Sequence, residues 1–263
     1  MNKSEPKYRK ALNTDQLEVL VLLSKFRFGS NTLIADYFGK KDRSFVFKRL
    51  KILEDQGLIG KRFDSSYRIK GKPAAYYLKP DGARLLQDKL SADIKIKNLY
   101  KEATVSEEFV GHSLSLLKVY LELRRAYSDN LKFFAKNELA EYDYFPDPLP
   151  DAYIRLKTSQ GEKQFFLELF HSYQPYYYKK RARFYMNYAD EELWEGSDDL
   201  PIVLFVCDST ALRMRAYKQI AKINHDEGLT IALTDEVSFI SGTGGLWELL
   251  DKPGEFKHLE AIS

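Results

Sequence analysis

The chain divides its charge unevenly, and this constrains its organisation more than any single motif. Residues 1–101 carry 23 Lys/Arg against 11 Asp/Glu, and the rest carry 18 against 27. A formal net charge of +3 therefore hides a surplus of 12 positive charges followed by a deficit of 9. At 263 residues there is room for two cores. A basic half joined to an acidic half favours two domains, one of them facing a polyanion.

Composition narrows the class. Hydrophobic residues at 44% and aromatics at 14% describe a globular chain. The single cysteine, Cys207, follows the apolar run Ile202 to Val206, so it forms no intramolecular disulfide and reads as a core thiol. Zinc-finger spacing is absent. Met1 to Ala11 is polar and basic, unlike a secretory signal, and no apolar run approaches the roughly 20 residues of a membrane span. The expectation is a soluble, cytoplasmic protein with no membrane partner.

The basic half reads as a winged helix-turn-helix over residues 12–90. Asn13 with Gln16 opens a first helix carrying Leu17, Leu20, Val21 and Leu23. Ser30 caps a second, with Leu33, Ile34 and Tyr37, and Gly39 ends it. Asp42 caps a third, in which Val46, Leu50 and Leu53 recur at helical spacing, and Gly57 stops it. Burying Val46 turns Ser44, Phe47, Lys48 and Lys51 outward, with Arg43 at the helix start and Arg49 on a flank. Arg43, Ser44, Lys48 and Lys51 are thus candidates for a major groove, where cations reach guanine edges and phosphates. An ordinary solvated amphipathic helix would look the same in isolation.

The segment after the third helix separates these readings. Leu58 to Phe63 and Ala75 to Leu78 read as two strands around a basic tip, a ribbon suited to a phosphate backbone through Lys61, Arg62, Arg68, Lys70 and Lys72. Pro80-Asp81-Gly82 opens a closing helix. The competing reading is a protein-binding winged helix. Residues 91–102, with alternating Lys and Ile, form a linker or a connecting helix.

Residues 103–263 read as an α/β domain, making the whole chain α+β. A helix from Thr104 to Tyr127 carries Val110, Leu114, Leu117, Leu121 and Leu123, with His112 beside the stripe as a core histidine. Strands are expected after Pro150 and over Gln164 to Phe170, with a hairpin turn at Gly161-Glu162. Then come a helix from Tyr176 to Trp194, a strand from Ile202 to Cys207, a helix from Thr210 to His225 and a strand from Leu229 to Leu233. The order implies a mixed sheet with helices on its faces.

Asp151 and Glu168 can converge at one end of that sheet and form a catalytic or metal-binding carboxylate pair for Mg or Mn. The arrangement resembles the restriction-endonuclease-like motif of Pro-Asp, a spacer and Glu-x-Lys. Here the lysine position is Phe170, which removes the usual agent of water activation and charge stabilisation. Lys179 or Lys180 would be the substitutes. The run Tyr173 to Arg183 interleaves aromatics with cations, so Tyr176, Lys179, Lys180, Arg181 and Arg183 are candidates for a second nucleic-acid contact; the alternative is a helix with tyrosines packed inward. His112, His171, His225 and His258 form no pair of the kind tyrosine relaxases need, and Ser241 to Gly245 reads as a surface turn.

As an ordered set, Gln16 to Leu20, Phe26-Arg27-Phe28, Val46 to Ile59, Tyr77 to Leu86, His112-Ser113-Leu114, Pro150-Asp151-Ala152 and Phe166 to Leu169 resemble the replication-relaxation family of plasmids and integrative mobile elements. That resemblance implies a double-stranded DNA-binding accessory protein in replication, relaxation or mobilisation, with a relaxase or replication initiator as partner. It departs from the family at Phe170, where an acidic residue is common. The alternatives are a metal-dependent nuclease or nickase using Asp151 and Glu168 with Mg or Mn, no cofactor being required otherwise, and a repressor acting as a homodimer.

Overall fold

A computed structural model describes residues 11–90, 96–171, 175–197, 199–223, 229–239 and 244–262. The chain separates into two compact units, Met1–Leu117 and Lys118–Ser263.

In the first unit, α1 (Thr14–Phe26) starts at a capping box in which Asn13 and Gln16 each accept the other's backbone N–H. Val19, Leu20, Leu22, Leu23 and Phe26 form its buried face. Where the sequence suggests a plain break, Phe28–Ser30 forms a short strand, β1. The Ser30 hydroxyl then caps α2 (Asn31–Tyr37) by accepting from the Leu33 amide. Asp42 caps α3 (Arg43–Asp55), whose Val46, Leu50 and Leu53 are fully buried. Each such apolar side chain contributes roughly 1.5–3 kcal/mol on burial. Gly57, at φ +73°, turns the chain out of α3 in a left-handed conformation that other residues resist.

The ribbon follows as β2 (Ile59–Arg62) and β3 (Ala75–Leu78), with β1 completing an antiparallel sheet in the order β1-β3-β2. Its tip differs from a simple loop: Ser65–Ile69 forms a helical turn, α4, with Tyr67 buried beneath it. The helix α5 (Pro80–Leu90) closes the unit. These elements have the three-helix and ribbon order expected from the sequence.

The division between units falls inside α6 (Glu107–Tyr127), not at residues 91–102 as the sequence suggests. The reason is packing: Val110 joins Phe28 and Ala75 in a buried cluster, with Phe109 and Leu114 against it. Arg27 lies over the Phe109 ring at 4.2 Å and pairs with buried Glu102 at 2.6 Å. Residues 91–95 of the expected linker lie outside the described residues.

The second unit is a seven-stranded mixed sheet in the order β10-β9-β8-β7-β6-β5-β4. Its elements are β4 (Leu131–Ala135), α7 (Lys136–Leu139), β5 (Ala152–Thr158), β6 (Gly161–Phe170), α8 (Pro175–Asp190), β7 (Ile202–Cys207), α9 (Thr210–Ile220), β8 (Ile231–Asp235), α10 (Glu236–Phe239), β9 (Trp247–Leu249) and β10 (Phe256–Lys257). Strands β6, β7 and β8 are parallel, and the outer pairings are antiparallel. The central β7 is apolar throughout, as expected of a parallel strand covered on both faces.

Strand alternation places Phe166, Glu168 and Phe170 on one face of β6. Phe166 and Phe170 share a core with Tyr178, Ala182 and Tyr185 of α8 and with Leu212 and Ala216 of α9. Cys207 is buried in the same core, and burial pushes its thiol up to about 12. His112 is half-buried.

Several boundaries differ from expectation. The hairpin turn sits at Ser159 and Gln160, and Gly161 already begins β6. Helix α8 ends at Asp190, leaving Trp194 to cross the Phe166 ring edge-on at 5.3 Å. Helix α9 ends at Ile220, and His225 lies outside the described residues, as do residues 241–243 of the expected turn. Gly244 and Gly245 have positive φ and lead into β9.

Two glycines of the first unit and its α6 extension give opposite expectations. A Cβ at Gly82 would lie 2.3 Å from the Leu58 carbonyl oxygen, which accepts from the Lys79 amide, whereas one at Gly111 meets nothing within 4 Å. Gly82→Ala should lower stability by about 1–3 kcal/mol, and Gly111→Ala should raise it by up to about 1 kcal/mol. Urea midpoints that moved in the same direction would refute this packing.

Candidate nucleic-acid interface and the Asp151–Glu168 cluster

Helix α3 separates its two faces as the periodicity requires. Arg43, Ser44, Phe47, Lys48 and Lys51 are exposed opposite the buried Val46, Leu50 and Leu53. Asp42 fixes the helix start: its carboxylate accepts from the Ser44 amide at 2.8 Å and from the Ser44 hydroxyl at 2.6 Å. Those two bonds hold the Asp42 carboxyl below its ordinary value. Ser44 therefore serves the cap as well as the surface. Arg49 is drawn away from the outer face, bonded to Asp15 at 2.7 Å and lying over the Phe45 ring. The Lys51–Asp55 pair, at 3.5 Å, is solvent-exposed and of the weak surface kind.

The ribbon splits its expected cations into two sets. Lys61, Arg68, Lys70 and Lys72 are exposed. Arg62 is instead committed inward, donating to the Val105 carbonyl at 2.5 Å and to Glu107 at 2.6 Å. Lys72 lies 3.6 Å from the other Glu107 oxygen, and the buried Tyr67 hydroxyl donates to Glu107 at 2.8 Å. One carboxylate at the start of α6 thus gathers two hydrogen-bond donors and a nearby lysine from the ribbon. Arg62 is a tether in this structure, and the expectation that it faces phosphates needs that correction. The missing signal is tertiary: Glu107 lies 45 residues beyond its partner.

In the second unit, Asp151 precedes β5 and its carboxylate accepts from the Leu169 amide at 2.9 Å. Glu168 lies one residue before Leu169 and is buried. Its Oε1 accepts from Arg181 Nε at 2.7 Å and from the Tyr185 hydroxyl at 2.5 Å, and lies 2.5 Å from Arg181 Nη2 in an ion pair. Arg181 Nη2 also donates to the Tyr185 oxygen at 3.0 Å. Burial and the neighbouring Asp151 carboxylate push Glu168 up to about 7, against the pull of Arg181 and Tyr185. Burial and Glu168 likewise raise the Tyr185 hydroxyl well above its ordinary value.

The sequence pair is therefore brought together, but with an unexpected third member. Phe170 fills the motif's lysine position with an aromatic ring, 4.9 Å from Phe205. The cation beside Glu168 is Arg181, not Lys179 or Lys180; Lys180 is exposed and Lys179 half-buried. Helical spacing could have found it, because Arg181 flanks the buried stripe of Tyr178, Ala182 and Tyr185. A divalent ion takes several oxygen ligands free of competing charge. Here Glu168 Oε1 is saturated by a guanidinium, and among the described residues no third His, Cys, Asp or Glu completes a cluster. The arrangement does not fit Mg or Mn while Arg181 is in place.

The remaining candidates of α8 face the other way. Tyr176, Tyr177, Lys180 and Arg183 are exposed, whereas Arg181 is buried. Tyr173 and Gln174 lie outside the described residues. In the described residues, no helix is long and apolar enough to cross a membrane.

Residues 20–200 match the family model described as Replication-relaxation. No curated protein matches the sequence. Among solved structures, the chain is similar to restriction endonuclease FokI at 12% identity, covering 88% of this chain and 43% of that one, with a TM-score of 0.35. A structure of FokI bound to DNA gives 13% identity, 88% and 44% coverage, and a TM-score of 0.26. The chain thus spans less than half the length of these two structures.

Removing one partner of a buried ion pair typically costs about 3–5 kcal/mol. Arg181→Met should approach that loss at pH 8, where Glu168 must either stay ionised beside Asp151 without its cation or take up a proton. The loss should shrink toward pH 5. The folded-state pKa of Glu168 is already above its ordinary value of 4.5, so the carboxyl takes up a proton as pH falls through about 7. Adding Glu168→Gln should recover part of the stability at pH 8. Urea unfolding at both pH values tests this; a pH-independent loss with no recovery in the double variant would refute the coupling.

Proposed function

Because the chain belongs to the replication-relaxation family, we propose that it is a double-stranded DNA-binding accessory protein in plasmid or mobile-element replication, relaxation or mobilisation. The observation that carries this reading is the outward face of α3. It presents Arg43, Ser44, Lys48 and Lys51 to solvent on a helix whose opposite stripe is fixed in a core. As a winged helix-turn-helix, the first unit would lay α3 in a major groove. Arg and Lys suit guanine edges and phosphates there, and Lys61, Arg68 and Lys70 of the ribbon supply further phosphate contacts. A relaxase or replication initiator is the expected protein partner, and a homodimer would suit a two-fold DNA site.

The second unit takes a structural part in this reading. Hydrolysis through Asp151 and Glu168 would require a metal, or another positive agent, where Arg181 already bonds Glu168. The buried cluster is instead suited to holding α8 against the sheet.

Each phosphate contact adds about 0.9 to the salt slope of duplex affinity. Lys48→Ala/Lys51→Ala should weaken binding and lower that slope by about 1.8, whereas the tethered Arg62 should contribute less than one contact. Fluorescence anisotropy across a salt series measures both. A double variant with wild-type affinity and slope would sink the docking reading. A footprint confined to a promoter would move the role toward repression.

A further inference from the structure

Helix α8 has two faces with opposite fates. Tyr178, Ala182 and Tyr185 are buried against the sheet. Tyr176, Lys180 and Arg183 follow one another at helical spacing on the exposed side, and Tyr177 adjoins them. Tyr176 is 72% exposed and Tyr177 63%. Four cations, Lys179, Lys180, Arg181 and Arg183, lie in a helix whose sole acid is Asp190 at its end. This occurs within the acidic part of the chain. Arg181 is balanced internally by Glu168, which leaves Lys180 and Arg183 as outward charge without need of a core partner.

Phe170 packs beneath this surface. Its ring meets the edge of Tyr177 at 6.3 Å and 88°, and that of Tyr178 at 6.0 Å. Phe170 is itself 2% exposed. The residue that displaces the motif's lysine thus supports an exposed tyrosine from below.

From this geometry we infer that the outer face of α8 is a binding site for an unpaired DNA strand, with Tyr176 and Tyr177 stacking on bases and Lys180 and Arg183 contacting phosphates. Paired DNA offers cations its phosphates but keeps its base faces stacked, so two open tyrosine rings beside two cations fit a single strand better than a duplex. The choice of DNA over RNA rests on the function proposed above; the surface itself does not depend on α3.

The test uses the full chain and a fluorescein-labelled oligothymidine of about fifteen nucleotides, spanning a typical single-strand site. Tyr176→Ala/Tyr177→Ala should weaken binding by at least about tenfold, given the energy of base–aromatic stacking. Tyr176→Phe/Tyr177→Phe should retain it, since the ring is kept. Lys180→Ala/Arg183→Ala should weaken binding and lower its salt slope by about 1.4. All these side chains are exposed, and unchanged circular-dichroism melting checks that each variant folds. Duplex affinity should be unchanged in the tyrosine variants, and oligothymidine affinity unchanged in Lys48→Ala/Lys51→Ala, so failure of α3 docking would appear on the duplex alone. Absence of oligothymidine binding, full affinity in the alanine tyrosine variant, or equal losses in the alanine and phenylalanine variants would overturn the stacking site. Tighter binding of oligouridine would overturn its assignment to DNA.

Discussion

The ion pair between Glu168 and Arg181 is the interaction on which the second unit turns. Moving either charge out of water costs several kcal/mol after relaxation, so neither is stable there alone. Together with the Tyr185 hydroxyl they bond one another between β6 and α8, while Arg181 Nη1 is buried there without a hydrogen-bond partner. The pair also sets the rotation of α8. With Arg181 held at the sheet, Tyr178, Ala182 and Tyr185 turn into the core while Tyr176, Lys180 and Arg183 turn out. A purely apolar contact would tolerate small rotations of the helix; a guanidinium bonded to both Glu168 and Tyr185 does so far less readily.

Charge in the first unit is arranged by a similar economy. Glu107 collects Arg62, Lys72 and the Tyr67 hydroxyl, and Glu102 collects Arg27. Some of the positive surplus visible in composition is therefore used in holding the ribbon and β1 to the start of α6. Among the described residues, α3 and the ribbon keep Arg43, Lys48, Lys51, Lys61, Arg68 and Lys70 exposed. Net charge along a sequence overstates the charge available to a partner wherever a few acids lie at such junctions.

The sequence is most readable where one element's pattern suffices. Asn13 with Gln16, Ser30 and Asp42 mark helix starts because their capping bonds are local, and Val46, Leu50 and Leu53 reveal the inner face of α3 by spacing alone. Asp151 and Glu168 can be paired from strand order. Their partner cannot, because Arg181 meets Glu168 only once β6 and α8 have packed. Arg62 reads as outward-facing for the same reason. The short strands β9 and β10 have too few residues to establish an alternating pattern, and α4 replaces a tip whose serines and glycine suggest only a turn. The inner face of the sheet is legible as apolar runs, while the aromatic crossing of Trp194 on Phe166 depends on a chain reversal after α8 that no periodicity announces.

The lone cysteine adds one practical consequence. Cys207 sits at the end of the central strand β7, fully buried in the core shared with α8 and α9, and its thiol resists ionisation because burial opposes the thiolate. A thiol reagent can reach it only when that sheet opens. The chain consequently carries its own chemical clock for the second unit, one whose rate is insensitive to fraying around α3 or the ribbon, and which distinguishes local loosening in one half from global unfolding without introducing any label.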